Sequence, residues 1–149
     1  MAMYQLGFVA SSGEFDFDGR YRGAALLDRA KDVRMLFFAE HGFPVDIFRK
    51  QRLMPWALKD RLDYQRDLEP FDEYKISLAL AGLSEDGTRF AVRCDVIRND
   101  GKVAAKIVST CAWLDSALQK FTNPPPQLVA ALKELPLSSD YQTLLSALK

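Results

Sequence analysis

"LLDRAKDVRMLFFAEHGFP", Leu26 to Pro44, is the stretch that decides how this chain folds. Leu26, Ala30, Val33 and Phe37 recur at i, i+4, i+7 and i+11, and Leu27, Leu36 and Phe38 widen the stripe around much of the girth. The pattern predicts one long helix from about Gly23 to Glu40. His41 falls in its last turn, Gly42 is placed for a C-terminal cap, and Pro44 blocks continuation. So apolar a helix has to be wrapped, and a curved sheet around one helix does that.

Strand patterns flank it. Upstream, Tyr4 to Ala10 is a short apolar strand ended by Ser11-Ser12-Gly13. Downstream, residues 45 to 53 read as a mixed basic connection, and Met54 to Asp67 as a strand with irregular alternation. Tyr74, Ile76, Leu78 and Leu80 then alternate with smaller or polar residues, as do Phe90, Val92, Cys94 and Val96. Ser84 to Gly87 and Asn99-Asp100-Gly101 are turns, and Lys102 to Leu114 is the last long strand, with Val103, Ala105, Ile107, Ser109, Cys111 and Trp113 on one face. Asn123-Pro124-Pro125-Pro126 closes this unit; Pro126 to Leu135 predicts a short helix, and Leu137 to Leu148 a further helical turn or two.

Bulk properties narrow the function. A length of 149 residues fits one domain, with a core over about 4–121 and a C-terminal helical extension over about 124–149. Twenty Lys plus Arg offset twenty Asp plus Glu, so no net field draws the chain to nucleic acid or to an anionic membrane. A small molecule or a protein is the expected partner. Cys94 and Cys111 sit in apolar strand patterns without a Cys-x-x-Cys or a clustered His, which points to two core thiols in a reducing compartment. The first residues lack a basic region followed by a long apolar run, so a cytoplasmic location is expected. Phosphate-binding glycine loops, metal-ligand clusters and Ser-His-Asp spacing are absent from the sequence.

In "LLDRAKDVRMLFFAEHGFP", in "RLDYQRDLEPFDEYKISLALAGL" (Arg61 to Leu83) and in "DGTRFAVRCDVIRNDGKVAAKIVSTCAWLD" (Asp86 to Asp115), the sequence resembles the hotdog-fold acyl-CoA thioesterases, in their 4-hydroxybenzoyl-CoA thioesterase-like branch. The resemblance implies an α+β hotdog fold: a curved antiparallel five-stranded sheet wrapped around one long central helix, with short C-terminal helices. It also implies a homodimer or dimer of dimers with active sites between subunits, no cofactor, and coenzyme A as part of the substrate. Non-catalytic binding of an acyl group or a protein is the alternative.

In that branch a carboxylate in the loop before the central helix acts as nucleophile or general base. Here the loop is "FDFDGRYRG", Phe15 to Gly23, so Asp16 and Asp18 are the candidate catalytic residues. Helix N-terminal amides suit the place, because they can bind a carbonyl oxygen as it gains charge. Many members carry a Gly-His-x-Asn-like segment next; this chain has Arg20, Tyr21, Arg22, Gly23, Ala24 and Ala25 there instead. Arg20, Tyr21, Arg22 and Gly23, with Ser109 and Thr110 on the last strand, are the candidate substrate-binding residues. Asp28 resembles the acid of a second hotdog branch but fits an ordinary polar helix face, and His41 stands at the wrong end of the helix for catalysis. Arg89, Arg93, Arg98, Lys102 and Lys106 read as a charged sheet face, or as a basic surface for the nucleotide of CoA.

Overall fold

The computed structural model describes residues 3–148. Helix α1 runs Gly23–Glu40, and it buries Ala25, Leu26, Ala30, Val33, Phe37 and Phe38, largely the predicted stripe. It stops where the sequence says: His41 is the C-cap and Gly42 takes φ +93°. The His41 ring closes the end twice, with Nδ1 2.8 Å from the Phe37 carbonyl and Nε2 3.0 Å from Glu134.

Around α1 curls a sheet of β1 (Tyr4–Val9), β2 (Leu53–Tyr64), β3 (Glu73–Ser84), β4 (Arg89–Arg98) and β5 (Val103–Asp115), in the order β1-β3-β4-β5-β2. All four pairings along this path are antiparallel. Only β3, β4 and β5 are joined as a meander; β2 lies at the far edge, beside β5. Register shifts at Ala57/Lys59 and Leu80/Gly82 bend the strands so that the inner face follows the helix. This is the arrangement that the hotdog resemblance implies. Cys94 and Cys111 are free and buried on the inner face, and burial pushes the Cys94 thiol up to about 12.

Two expectations are corrected. Residues 45 to 53 are not a plain connection: Val45–Gln51 forms helix α2. Its single buried residue, Phe48, lies 5.7 Å from the Phe43 ring and 6.0 Å from Trp113, so tertiary packing orders a segment whose other positions are mostly polar. After helix α3 (Pro126–Lys133), Leu137–Leu144 is strand β7 rather than further helix, and it pairs parallel to β3. The cause is the length of β3. β1 covers β3 only from Glu73 to Leu78, and β7 takes the ladder from Leu80 to Ser84 that would otherwise stay unpaired. With β6 (Lys120–Phe121) beside β5, the sheet has seven strands rather than five.

The C-terminal segment is tied down beyond β7. Asp86, in the β3–β4 turn, accepts from Ser84 Oγ at 2.8 Å, from Thr88 Oγ1 at 2.7 Å and from Thr88 N–H at 3.1 Å, and it also accepts from Ser146 Oγ. Burial works against the charge, but these donors outweigh it and hold the carboxyl well below its ordinary range.

At the core centre Trp113 is fully buried, with ring centroids of Phe38 at 5.5 Å, Phe90 at 5.1 Å and Phe48 at 6.0 Å. α3 seals this end of the half-barrel with Leu128 and Leu132, both fully buried.

Candidate functional site

The segment before α1 is a tight hairpin. Phe15 and Tyr21 form an isolated bridge, and Asp16 N–H donates to the Arg20 carbonyl at 2.8 Å. Asp16 Oδ1 accepts the N–H groups of Asp18 and Arg20, both at 3.0 Å, so this aspartate organises the turn while its other oxygen has no partner among the described residues. Gly19 takes φ +83°, which a side chain would resist. Asp18 sits exposed at the tip, and its carboxylate has no protein partner among the described residues.

Beneath the hairpin lies a polar network that the sequence did not signal. Tyr21 is buried, with its hydroxyl 2.9 Å from that of Tyr74. Glu14 stands beside the same hydroxyl and pairs with Arg29 at 3.2 Å. Burial opposes the Glu14 charge, but the Ser11 N–H, Tyr21 and Arg29 together hold its carboxyl below the usual value. Arg22 N–H donates to the Glu14 carbonyl at 2.9 Å, and Tyr64 Oη donates to the Tyr21 carbonyl at 2.8 Å. Both ends of the hairpin are therefore fixed to the sheet and to the helix start. Glu14 and Arg29 are 15 residues apart in sequence, and neither belongs to a recognisable motif.

The first turn of α1 offers unused donors. Arg22 is the N-cap and gives no side-chain capping bond. Ala25 and Leu26 N–H both turn back to the Arg22 carbonyl, at 3.1 and 3.2 Å. The Gly23 and Ala24 N–H groups have no protein acceptor among the described residues. They sit at the positive end of the helix dipole. Gly23 also permits the close approach of β2: a Cβ there would lie 3.1 Å from Leu62 Cδ2 and 3.4 Å from Tyr64 Oη. A narrow cleft beside it is lined by Arg20, Tyr21, Tyr64 and Arg66.

The structure thus brings Asp16, Arg20, Tyr64 and Gly23 to one corner, with Asp18 at the hairpin tip above it. Arg22 points elsewhere, donating from Nη2 to the Gly13 carbonyl at 3.3 Å. Ser109 and Thr110 lie on opposite faces of β5: Ser109 is buried on the helix side and donates to Asp60 at 2.6 Å, while Thr110 pairs with Lys59 in register on the outer face. Asp28 is exposed on α1. On the charged sheet face Arg93 pairs with Asp95 at 3.0 Å and Asp140 at 3.8 Å, and Arg98 with Asp100 at 2.6 Å, while Arg89, Lys102 and Lys106 make no ion pair among the described residues. Among the described residues no group of three His, Cys, Asp or Glu is placed to hold a metal ion, and no helix is long and apolar enough to cross a membrane.

Solved structures share this architecture at low sequence identity. A hypothetical protein from Staphylococcus aureus in complex with CoA superposes with a TM-score of 0.81 at 15% identity, covering 93% of this chain and 89% of that one. The dynemicin thioesterase gives 0.79 at 20% identity, covering 93% and 100%. The DHNA-CoA thioesterase from Staphylococcus aureus gives 0.80 at 14% identity, covering 90% and 91%. No match was found among curated proteins. The family description "thioesterase-like superfamily" matches residues 12–132, spanning the hairpin, the central helix and the whole meander, and the chain belongs to that family.

Proposed function

We propose that the protein hydrolyses the thioester of an acyl-CoA, or of an acyl group on a carrier, to a free acid and a thiol. The observation that carries this reading is the pair of unused N–H donors at Gly23 and Ala24, set beside a hairpin bearing two aspartates. The thioester carbonyl oxygen binds these amides. Asp16 or Asp18 then either takes a proton from an attacking water or itself attacks the carbon, and the negative charge that builds on the oxygen is met by donors already oriented toward it. Collapse of the tetrahedral species breaks the C–S bond, and the thiolate leaves readily because an ordinary thiol has a pKa of about 8.5. If the carboxylate attacks, water hydrolyses the resulting anhydride and restores it. Arg20, exposed at the hairpin base, meets the anionic part of the substrate.

The working unit in this reading is a homodimer or a dimer of dimers. β2 is a 12-residue edge strand, and its exposed residues include Met54, Trp56 and Leu58. So long and apolar an open edge is a ready template for pairing with a second copy. Two unlinked thiols at Cys94 and Cys111 fit a reducing cytoplasm.

A panel of aliphatic and aromatic acyl-CoAs, followed by thiol release, tests the activity. Turnover of at least one member is expected. Tight binding across the panel without thiol release would replace hydrolysis by simple acyl binding.

A further inference from the structure

The hairpin that carries Asp16 has two stems, and only one of them is continuous with α1. Its base rung is the bond from Arg22 N–H to the Glu14 carbonyl at 2.9 Å, followed by the Phe15–Tyr21 bridge and by the bond from Asp16 N–H to the Arg20 carbonyl at 2.8 Å. The Arg22 stem runs straight into the helix, because Arg22 is its N-cap. The Glu14 stem arrives from a single 3-10 turn, Ser12–Glu14, and a lone backbone bond at its base would let it pivot.

The Glu14 side chain supplies a second hold. Its carboxylate pairs with Arg29 at 3.2 Å. Arg29 lies two turns past the N-cap on the same face of α1, about 10 Å further along the axis. Glu14 therefore grips the helix at its start through the backbone and again two turns on through the side chain. Two separated attachments fix the angle of the hairpin as well as its position. The guanidinium is itself held in place, 5.5 Å from the centre of the Phe8 ring and 3.8 Å from Asp32.

The same carboxylate is joined to the sheet. Glu14 Oε1 accepts the Ser11 N–H at 2.9 Å, and the carboxylate stands beside the Tyr21 hydroxyl. An ionised carboxylate can only accept, so that hydroxyl gives its proton to Glu14 and takes one from Tyr74, 2.9 Å away on β3. With its side chain only 15% exposed and donors from Ser11, Tyr21 and Arg29 around it, Glu14 holds the fold together rather than attacking a thioester.

We infer that Glu14 and Arg29 act as one positioning pair, which sets Asp16 against the Gly23 and Ala24 amides at the distance and angle that thioester hydrolysis needs. The inference rests on the hydrolase reading above. The hairpin holds Asp16 and the helix holds the amides, so their separation is only as well defined as the joint between the two. A displacement of about 1 Å at such a joint costs up to about 10²-fold in rate. Substrate binding, spread over a larger surface, is little changed.

Steady-state kinetics of a double-mutant cycle, run well below the melting temperature of every protein, tests the inference. Glu14→Gln keeps the backbone carbonyl and the shape of the side chain, and Arg29→Gln removes the other charge. Each is expected to lower kcat by about 10- to 100-fold, with KM within about twofold of wild type. The double variant is expected to be no slower than the slower single, because the second change removes a contact already lost. Arg29→Lys, which keeps a charge within reach of Glu14, is expected to restore most of kcat. Arg29 is partly exposed, so the contrast between Arg29→Lys and Arg29→Gln carries the test if Glu14→Gln does not fold. Unchanged kcat in the folded singles, a loss confined to KM, losses that multiply in the double variant, or an Arg29→Lys protein as slow as Arg29→Gln each overturn the inference and leave hydrolysis standing. A wild type that releases no thiol from any acyl-CoA overturns the hydrolase reading itself, and the inference with it.

Discussion

Replacing both Asp16 and Asp18 by asparagine is expected to lower kcat for thiol release by about 10²–10⁴-fold, the usual worth of a positioned proton acceptor. The variants are informative because the amide is nearly isosteric. Asp16 holds the hairpin through one oxygen, which accepts the Asp18 and Arg20 N–H groups at 3.0 Å, and the asparagine oxygen can accept the same two bonds. Asp16→Asn therefore removes the charge and keeps the turn. Asp18 has no protein partner at the tip, so Asp18→Asn leaves the fold untouched. The two single variants assign the role, because the loss belongs to whichever carboxylate reaches the thioester carbon. Melting temperatures within a degree or two of wild type, with KM little changed, would place the loss in the chemical step. Full activity in the double variant contradicts a carboxylate mechanism in this hairpin.

Trp113→Ala is expected to cost about 3–5 kcal/mol of stability and to lower Tm by about 10 °C in a chain of this size. Trp113 is fully buried, and Phe38, Phe48 and Phe90 all stand within 6.0 Å of its ring. Those rings belong to α1, α2 and β4, so the indole joins the central helix, the short helix after it and the sheet. A cavity here has little means of collapse, because α3 already fills the open end with Leu128 and Leu132. Its Nε1 has no acceptor among the described residues, so a polar bond is not what is lost; Trp113→Phe, which keeps most of the aromatic contact, is expected to cost less than half as much. Thermal or denaturant unfolding of the two variants reads both numbers, and a Trp113→Ala protein as stable as wild type would contradict this picture of the core.

What the sequence revealed follows from where its signals are strong. α1 announces itself because apolar spacing, a glycine cap and a following proline agree over 18 residues. The β3–β4–β5 meander does so because alternation and two glycine turns coincide; Gly87 and Gly101 both take positive φ there. α2 was hidden, since a single fully buried residue, Phe48, in a seven-residue segment gives no period to detect. β7 was hidden for another reason: "LSSDYQTL" has no apolar stripe, and its strand form is dictated by the unpaired end of β3. The position of β2 at the far edge is a matter of topology that local pattern does not carry.

The candidate site was legible in the same uneven way. Asp16 and Asp18 stand out by their place before the helix. The free amides at Gly23 and Ala24 became visible only once Arg22 proved to give no side-chain cap. The Glu14–Arg29 pair and the Tyr21–Tyr74 contact link residues 15 and 53 positions apart.

A crystal structure with a non-hydrolysable thioether analogue of an acyl-CoA tests the central claim most directly. The account predicts the oxygen that stands for the thioester carbonyl at about 3 Å from the Gly23 or Ala24 N–H, with a carboxylate oxygen of Asp16 or Asp18, or a water held by it, in line with the adjacent carbon. An analogue seated instead in the open groove between β1, β3 and the β4–β5 turn, lined by Gln5, Lys75 and Asn99, with the α1 amides untouched, would contradict it.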